Sequence, residues 1–180
     1  MSWLDTYHAF ARYNRWMNQR LYSLTGELDD ADRKRDLGAF FGSLHDTLGH
    51  LVLADRVWLG RFTAQAERFA DRAADGRPLL LTPRGAFASF EDMRERRVST
   101  DAAIEEWVAT LDEATLDAPF EYANLAGEPQ SHVRWWAVQH FFNHQTHHRG
   151  QATTLLKQLG KDPGVTDYVQ FMRLEAAGRA

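Results

Sequence analysis

The sequence predicts an all-α protein, a four-helix bundle with a short hairpin or loop before its last long helix. Three observations carry this. Apolar residues recur with helical period in four long segments, polar or Gly- and Pro-containing stretches separate them, and 180 residues with 44% apolar and 12% aromatic content can bury one proper core. That length favours one domain over residues 1–180.

The first helix is expected over residues 5–24. Trp3, Phe10, Met17 and Leu24 recur at heptad spacing, and Tyr7 and Leu21 fill the second seam position. Asn14 interrupts that seam and reads as a buried residue that fixes register. A polar stretch over 29–35 leads to the second helix, expected over 43–66, with Leu44, Leu48, Leu51, Trp58 and Phe62 as its stripe. Asp55 lies within that stripe. A lone carboxylate there is costly unless paired or hydrogen-bonded, so it is either an internal partner or part of a site.

A loop with Gly76, Pro78, Pro83 and Gly85 follows. Ser89 then opens a third helix with Asp92 three positions on, and Phe90, Met93, Ile104, Trp107, Val108 and Leu111 are its apolar residues. Residues 119–128 carry β-prone side chains before a Gly-containing turn, hence the hairpin or loop. The fourth helix is bounded by Pro129 and Ser131 at its start and Gly160 at its end. Its stripe is Val133, Ala137, Phe141, His144, His148, Gln151, Leu155 and Leu159, with Arg149 expected to point away.

The middle of that stripe carries the chemistry. A lone histidine on an apolar face is usually a satisfied core residue. His144 and His148, however, leave one side of the helix a turn apart and can converge on one ion at about 2.0–2.1 Å. His140 drifts to the edge of the stripe and His147 lies off it, so His147 reads as a flanking residue. A third ligand is expected from a facing helix, and His45, His50 and, more weakly, Asp55 are the candidates. Periodicity does not choose between the two histidines, although the apolar neighbours of His50 favour its burial.

Several functional classes are excluded or made unattractive. A net charge of −4 with scattered basic residues offers no footprint for nucleic acid. The absence of cysteine removes disulfides, thiolate zinc sites and a cysteine nucleophile, so any thiol chemistry must use the sulfur of a substrate. No stretch reaches the roughly 18 apolar residues of a membrane span, and no leader pattern opens the chain, so a cytoplasmic protein without membrane association is expected.

Four segments carry a resemblance. Tyr13-Asn14-Arg15-Trp16-Met17-Asn18, then Thr47-Leu48-Gly49-His50 followed by Ala54-Asp55-Arg56-Val57-Trp58, then the run from Asn143 through His144, His147, His148 and Arg149 to Gln151, and finally Pro163-Gly164-Val165-Thr166-Asp167 resemble the DinB/YfiT family over nearly the whole chain. The resemblance implies a four-helix bundle whose three histidines, one on the second helix and an H-x-x-x-H pair on the fourth, hold a zinc or nickel ion. Matched motif by motif, these are His50, His144 and His148. It also implies a homodimer and a small-molecule substrate, with a low-molecular-weight thiol favoured.

Three neutral imidazoles leave the charge of a divalent ion uncompensated and a coordination position open. The leading expectation is therefore a metal-dependent thiol S-transferase-like enzyme in which Asp55, His147 and Gln151 orient ligands or substrate. The alternatives are a hydrolase that activates water at the ion, or a non-catalytic stress protein that binds a metal or small molecule.

Overall fold

The computed structural model describes residues 2–72, 75–81 and 84–180, so Pro83 of the expected long loop lies outside the described residues. The protein is mostly helical, as expected. In chain order it runs α1 (Trp3–Gly26), α2 (Asp30–Lys34), α3 (Leu44–Phe62), α4 (Ala66–Phe69), a 3-10 turn (Leu79–Leu81) and α5 (Phe90–Val108). There follow α6 (Glu113–Asp117), β1 (Pro119–Ala123), β2 (Pro129–Val133), α7 (Arg134–Gln158) and α8 (Tyr168–Ala176). Four helices are long. Among them α1 packs on α5 and α7, and α3 packs on the same two.

Local chemistry sets the helix ends. Ser2 and Asp5 form a reciprocal capping box that starts α1 two residues before the expected position. Ser43 caps α3, its hydroxyl accepting from the Asp46 amide at 3.1 Å, and Ser89 caps α5 in the same way. The second helix ends earlier than expected, at Phe62 rather than 66. Thr63 closes its last turn, and Ala64 adopts a left-handed φ of 55° that no helix continues through. Gly60 lets the chain double back there, since a Cβ would stand 3.1 Å from the Cα of Ala66.

The segment over 119–128 resolves as half of an antiparallel hairpin, with Pro119 opposite Val133 and Ala123 opposite Pro129. Pro129 and Ser131 therefore belong to β2 and not to the last helix. That helix starts at Arg134, whose amide donates to the Ala118 carbonyl at 3.0 Å, so the hairpin does the work of a side-chain cap. The first heptad seam also needs correction. Trp3 is 68% exposed, while Tyr7, Asn14, Met17, Asn18 and Leu21 form the buried stripe, because a straight 3.6-residue helix drifts away from a strict heptad.

The core has two apolar parts. One gathers Tyr7, Leu59, Phe62, Ile104, Trp107, Phe141 and Phe142, and the other Met17, Leu21, Leu48, Val52, Met93, Ala152 and Leu155. On every long helix the residues between the two parts are polar: Asn14 and Asn18 on α1, Asp55 on α3, Arg97 and Asp101 on α5, Gln145 and Arg149 on α7. Arg97 Nη1 donates to Asp55 Oδ2 at 2.6 Å, and its Nη2 lies 2.8 Å from Asp101 Oδ1. Asn14 and Asn18 donate to that same Asp101 oxygen at 3.1 and 2.9 Å, Gln145 donates to Asp55 Oδ1 at 3.1 Å, and Arg149 donates to Asn14. Two carboxylates thus share the Arg97 guanidinium, and Arg149 joins the layer through Asn14. Arg149, expected to point away from the seam, is 3% exposed inside this layer because Asn14 and the ring of Tyr13 receive it.

Candidate metal centre

Beside that layer, α3 and α7 run antiparallel and face each other along one stripe, with His50 against His148 and Trp58 against His140. The four-residue spacing of His144 and His148 sets their rings edge to face with centroids 4.3 Å apart, and His50 reaches across at 4.7 Å from His148 and 5.4 Å from His144. Three ring nitrogens converge. The Nε2 of His144 lies 3.0 Å from that of His148 and 3.4 Å from that of His50, and one donor atom from each ring falls within 4.8 Å of the others.

The donor set fits a divalent transition ion. Nitrogens about 2.0–2.1 Å from one ion lie roughly 2.9 Å apart at right angles and about 3.4 Å apart in a tetrahedron, which brackets the two spacings above. His148 has its tautomer set by a neighbour. The amide oxygen of Gln151 accepts from His148 Nδ1 at 2.7 Å, so the Nε2 of that ring presents a lone pair to the cluster. Gln151 is itself steadied by its amide nitrogen, which donates to His147 Nε2 at 3.3 Å.

Burial keeps these rings neutral. His50 is pushed down to about 4 by desolvation and then by the facing His148. His144 falls to about 3, again by desolvation first, followed by the charges its histidine neighbours would carry. His148 is lowered by burial, against which the Gln151 bond works. Neutral imidazole is the form that binds metal, so the site is ready for an ion well below neutral pH.

A wall of the site comes from a residue without a sequence signature. Phe41, in the loop before α3, stacks on His50 at 4.1 Å and approaches His148 at 5.5 Å. Two backbone bonds, from Leu37 to the Gly42 carbonyl and from Gly42 to the Ala39 carbonyl, hold this loop in place.

The other candidates lie apart. His45 is buried with its Nε2 3.0 Å from the Phe87 carbonyl, and His140 packs on Trp58 outside the cluster. Asp55, weighed as an alternative ligand and as a residue orienting substrate, is committed to Arg97 and Gln145 on the far side of α3. That correction is physical, since a fully buried carboxylate takes the guanidinium within reach.

A family model described as DinB family matches residues 1–179. The chain belongs to the DinB family. Among curated relatives, Protein DinB of Bacillus subtilis (strain 168) is 24% identical over 169 residues, covering 93% of this chain and 94% of the relative. No solved structure matches. For this DinB-family chain, the sequence-read residues that come together are His50, His144 and His148, with Gln151 and His147 in a hydrogen-bonded row behind them. Among the described residues no helix is long and apolar enough to cross a membrane.

Proposed function

We propose that this protein is a metal-dependent enzyme of the thiol S-transferase type, with one Zn²⁺ or Ni²⁺ held by His50, His144 and His148 in a DinB-type four-helix bundle. The observation that carries the reading is the convergence of three neutral imidazole nitrogens with no carboxylate among them. Such a set prefers a borderline transition ion over Mg²⁺ or Ca²⁺ and leaves a coordination position for a small ligand. When bound, the ion supplies Lewis acidity that favours the deprotonated form of a coordinated thiol or water.

The residues around it favour a thiol over water. A thiol ionises near pH 8.5 by itself, so the ion has far less to supply in forming a thiolate than in forming hydroxide from water. Both carboxylates of α3 are engaged elsewhere, Asp46 accepting from Ser43 and the Gly85 amide and Asp55 from Arg97 and Gln145. Phe41 covers His50 with an apolar face, which suits a sulfur or hydrocarbon group. The chain has no cysteine of its own, so the thiol would be the substrate's. Gln151 holds the His148 ring, and His147 holds Gln151.

A cytoplasmic homodimer belongs to the same reading, supported by exposed apolar side chains such as Phe40 at 81% and Trp136 at 55%. Light scattering at micromolar concentration should give twice the chain mass, and a monomer overturns that part. The main test is metal analysis of untagged protein, followed by incubation with a small thiol and an alkylating electrophile. About one ion per chain and a thioether product absent from His148→Ala are expected. Ester or amide cleavage that ignores the thiol would move the assignment to a hydrolase, and metal-free protein would remove it.

A further inference from the structure

A cavity lies beside the part of the core that holds Tyr7 and Phe142, away from the histidine cluster. Its volume is about 480 Å³, within the usual range for small-molecule sites. Six residues line it: Trp3, Tyr7, Glu113, Leu116, Asp117 and Trp135. None is a histidine and none is basic. Trp135 precedes His144 by nine positions on α7, roughly 13 Å along the helix at about 1.5 Å per residue.

Its chemistry is unusually one-sided. Trp3 and Trp135 are 68% and 43% exposed, an odd fate for indoles unless something covers their faces. Trp3 stacks over Tyr7 at 6.4 Å, and Tyr7 stacks in turn on Phe142 at 5.9 Å, so the floor is fixed by packing. Tyr7 is 1% exposed, and its hydroxyl, which has no hydrogen-bond partner among the described residues, opens onto the cavity it lines. Burial holds that phenol in its neutral form. Glu113 and Asp117 sit one turn apart on α6, and neither has an ion pair or side-chain hydrogen bond among the described residues. The cation nearest in sequence, Arg134, is turned over the ring of Phe120 at 4.6 Å. The positive end of α1 is already answered by Ser2 and Asp5.

Aromatic faces carry negative quadrupole charge, and with two free carboxylates they describe a receptor for a cation with apolar substituents. We propose that this cavity is a binding site for a small alkylammonium ligand, with Trp3, Tyr7 and Trp135 as the cage, Glu113 and Asp117 as counter-charges, and the Tyr7 hydroxyl free for a polar group on the ligand. A metal ion would leave the rings unused, and an anion would meet two carboxylates.

The probe is choline, compared with 3,3-dimethyl-1-butanol, its neutral isostere with carbon in place of the charged nitrogen. Binding is read on the indole N–H resonances of Trp3 and Trp135, assigned with Trp3→Phe and Trp135→Phe. Choline should shift both saturably, with an affinity at least roughly tenfold above that of the isostere. The Glu113→Gln/Asp117→Asn pair should erase that preference while leaving the isostere's weak binding unchanged. Trp135→Leu, which keeps the apolar bulk and lacks the π face, should lower the preference too. Melting temperatures near wild type exclude unfolding as the cause. Equal response to both probes, no saturable shift with millimolar choline, or an unchanged preference in the carboxylate variant overturns the proposal. So does a change of oligomeric state in Trp135→Leu, which makes the cavity an interface between copies of this chain.

Discussion

The Asp55–Arg97–Asp101 layer and the His50–His144–His148 cluster both set polar side chains among apolar helices, and both draw on α3 and α7. They differ in what completes them. In the layer, each buried carboxylate meets a guanidinium and at least one amide donor from another helix, so the chain itself answers its charges. In the cluster, three imidazole nitrogens face one another, and no acid or thiolate stands within the set. Facing ring nitrogens with one N–H per neutral ring satisfy one another only in part. The first arrangement specifies how four helices pack, and the second is shaped for something from outside the chain.

The largest effect should come from breaking the layer. Arg97→Ala leaves Asp55 and Asp101 buried without their cation, a change that costs about 3–5 kcal/mol and lowers the melting temperature by roughly 10 °C in a chain of this size. Metal-free His144→Ala, which leaves no charge behind, should stay within about 1 kcal/mol of wild type. Thermal melts of both variants decide the matter. If His144→Ala in the metal-free protein is as damaging as Arg97→Ala, the histidines are part of the packing and the contrast fails.

Adding the ion should reverse the order of importance. A ligand at a hundredfold over its dissociation constant stabilises the folded state by about 2.7 kcal/mol, so the loaded protein should melt several degrees higher. His50→Ala, His144→Ala and His148→Ala should lose this gain along with the bound ion, and His45→Ala should keep both, because its ring is turned to the Phe87 carbonyl. Metal retained by His50→Ala and lost by His45→Ala would reassign the α3 ligand.

A smaller effect tests the row behind His148. Gln151→Ala frees the His148 ring to rotate or change tautomer, and partners of this kind typically affect metal affinity by about 10–100-fold. His147→Ala acts one bond further out and should cost less. Competition with a metal indicator measures both. Equal affinity in Gln151→Ala and wild type would show that packing alone orients the ring.

How much of this was legible beforehand depends on the range of the interaction. The helical spacing of His144 and His148 is local, and a wheel shows it. The choice of His50 over His45 depends on the rotation of α3 against α7, which the wheel left open and the resemblance to a family supplied. The charged layer was legible in part, since Asn14 reads as a buried residue and Asp55 as an internal partner, and the structure has both so. Asn14 and Asn18, Arg97 and Asp101, and Gln145 and Arg149 are each four residues apart on otherwise apolar faces. Taken singly, each resembles a solvated turn, and only three such pairs together point to a layer. Phe41 and the left-handed Ala64 depend on loop geometry that has no periodicity to read. The last helix, α8, follows from residues such as Tyr168 and Phe171, whose burial partners Phe10 and Tyr13 lie at the other end of the sequence.

The smallest expected effect concerns acid and the metal-free protein, where the sign separates the two polar regions. His50 and His144 ionise near 4 and 3 in the folded chain, against about 6.5 when unfolded. Above pH 6.5 both states are neutral at these sites and their contribution is intact. As the pH falls from about 6.5 toward 4 for His50 and toward 3 for His144, the unfolded chain takes up protons that the folded one refuses, so stability drains away across that window and levels off below it. Both rings retain some contact with water, which moderates the loss to a few degrees between pH 7 and 5. Burial raises the carboxyls of Asp55 and Asp101, so their protonation favours the folded state and runs the other way. The same depressed values alter the expectation for the ion. If its ligands ionised near 6.5, protons would strip it just below neutrality, whereas rings whose ionisation burial pushes down should hold it further into acid. Melts of metal-free wild type and His144→Ala at pH 7, 6 and 5, alongside the ion content of loaded protein dialysed at each pH, separate these terms. A wild-type slope no steeper than the variant's, with metal already gone at pH 6, would mean that these imidazoles titrate like free histidine and that burial does not keep the site neutral.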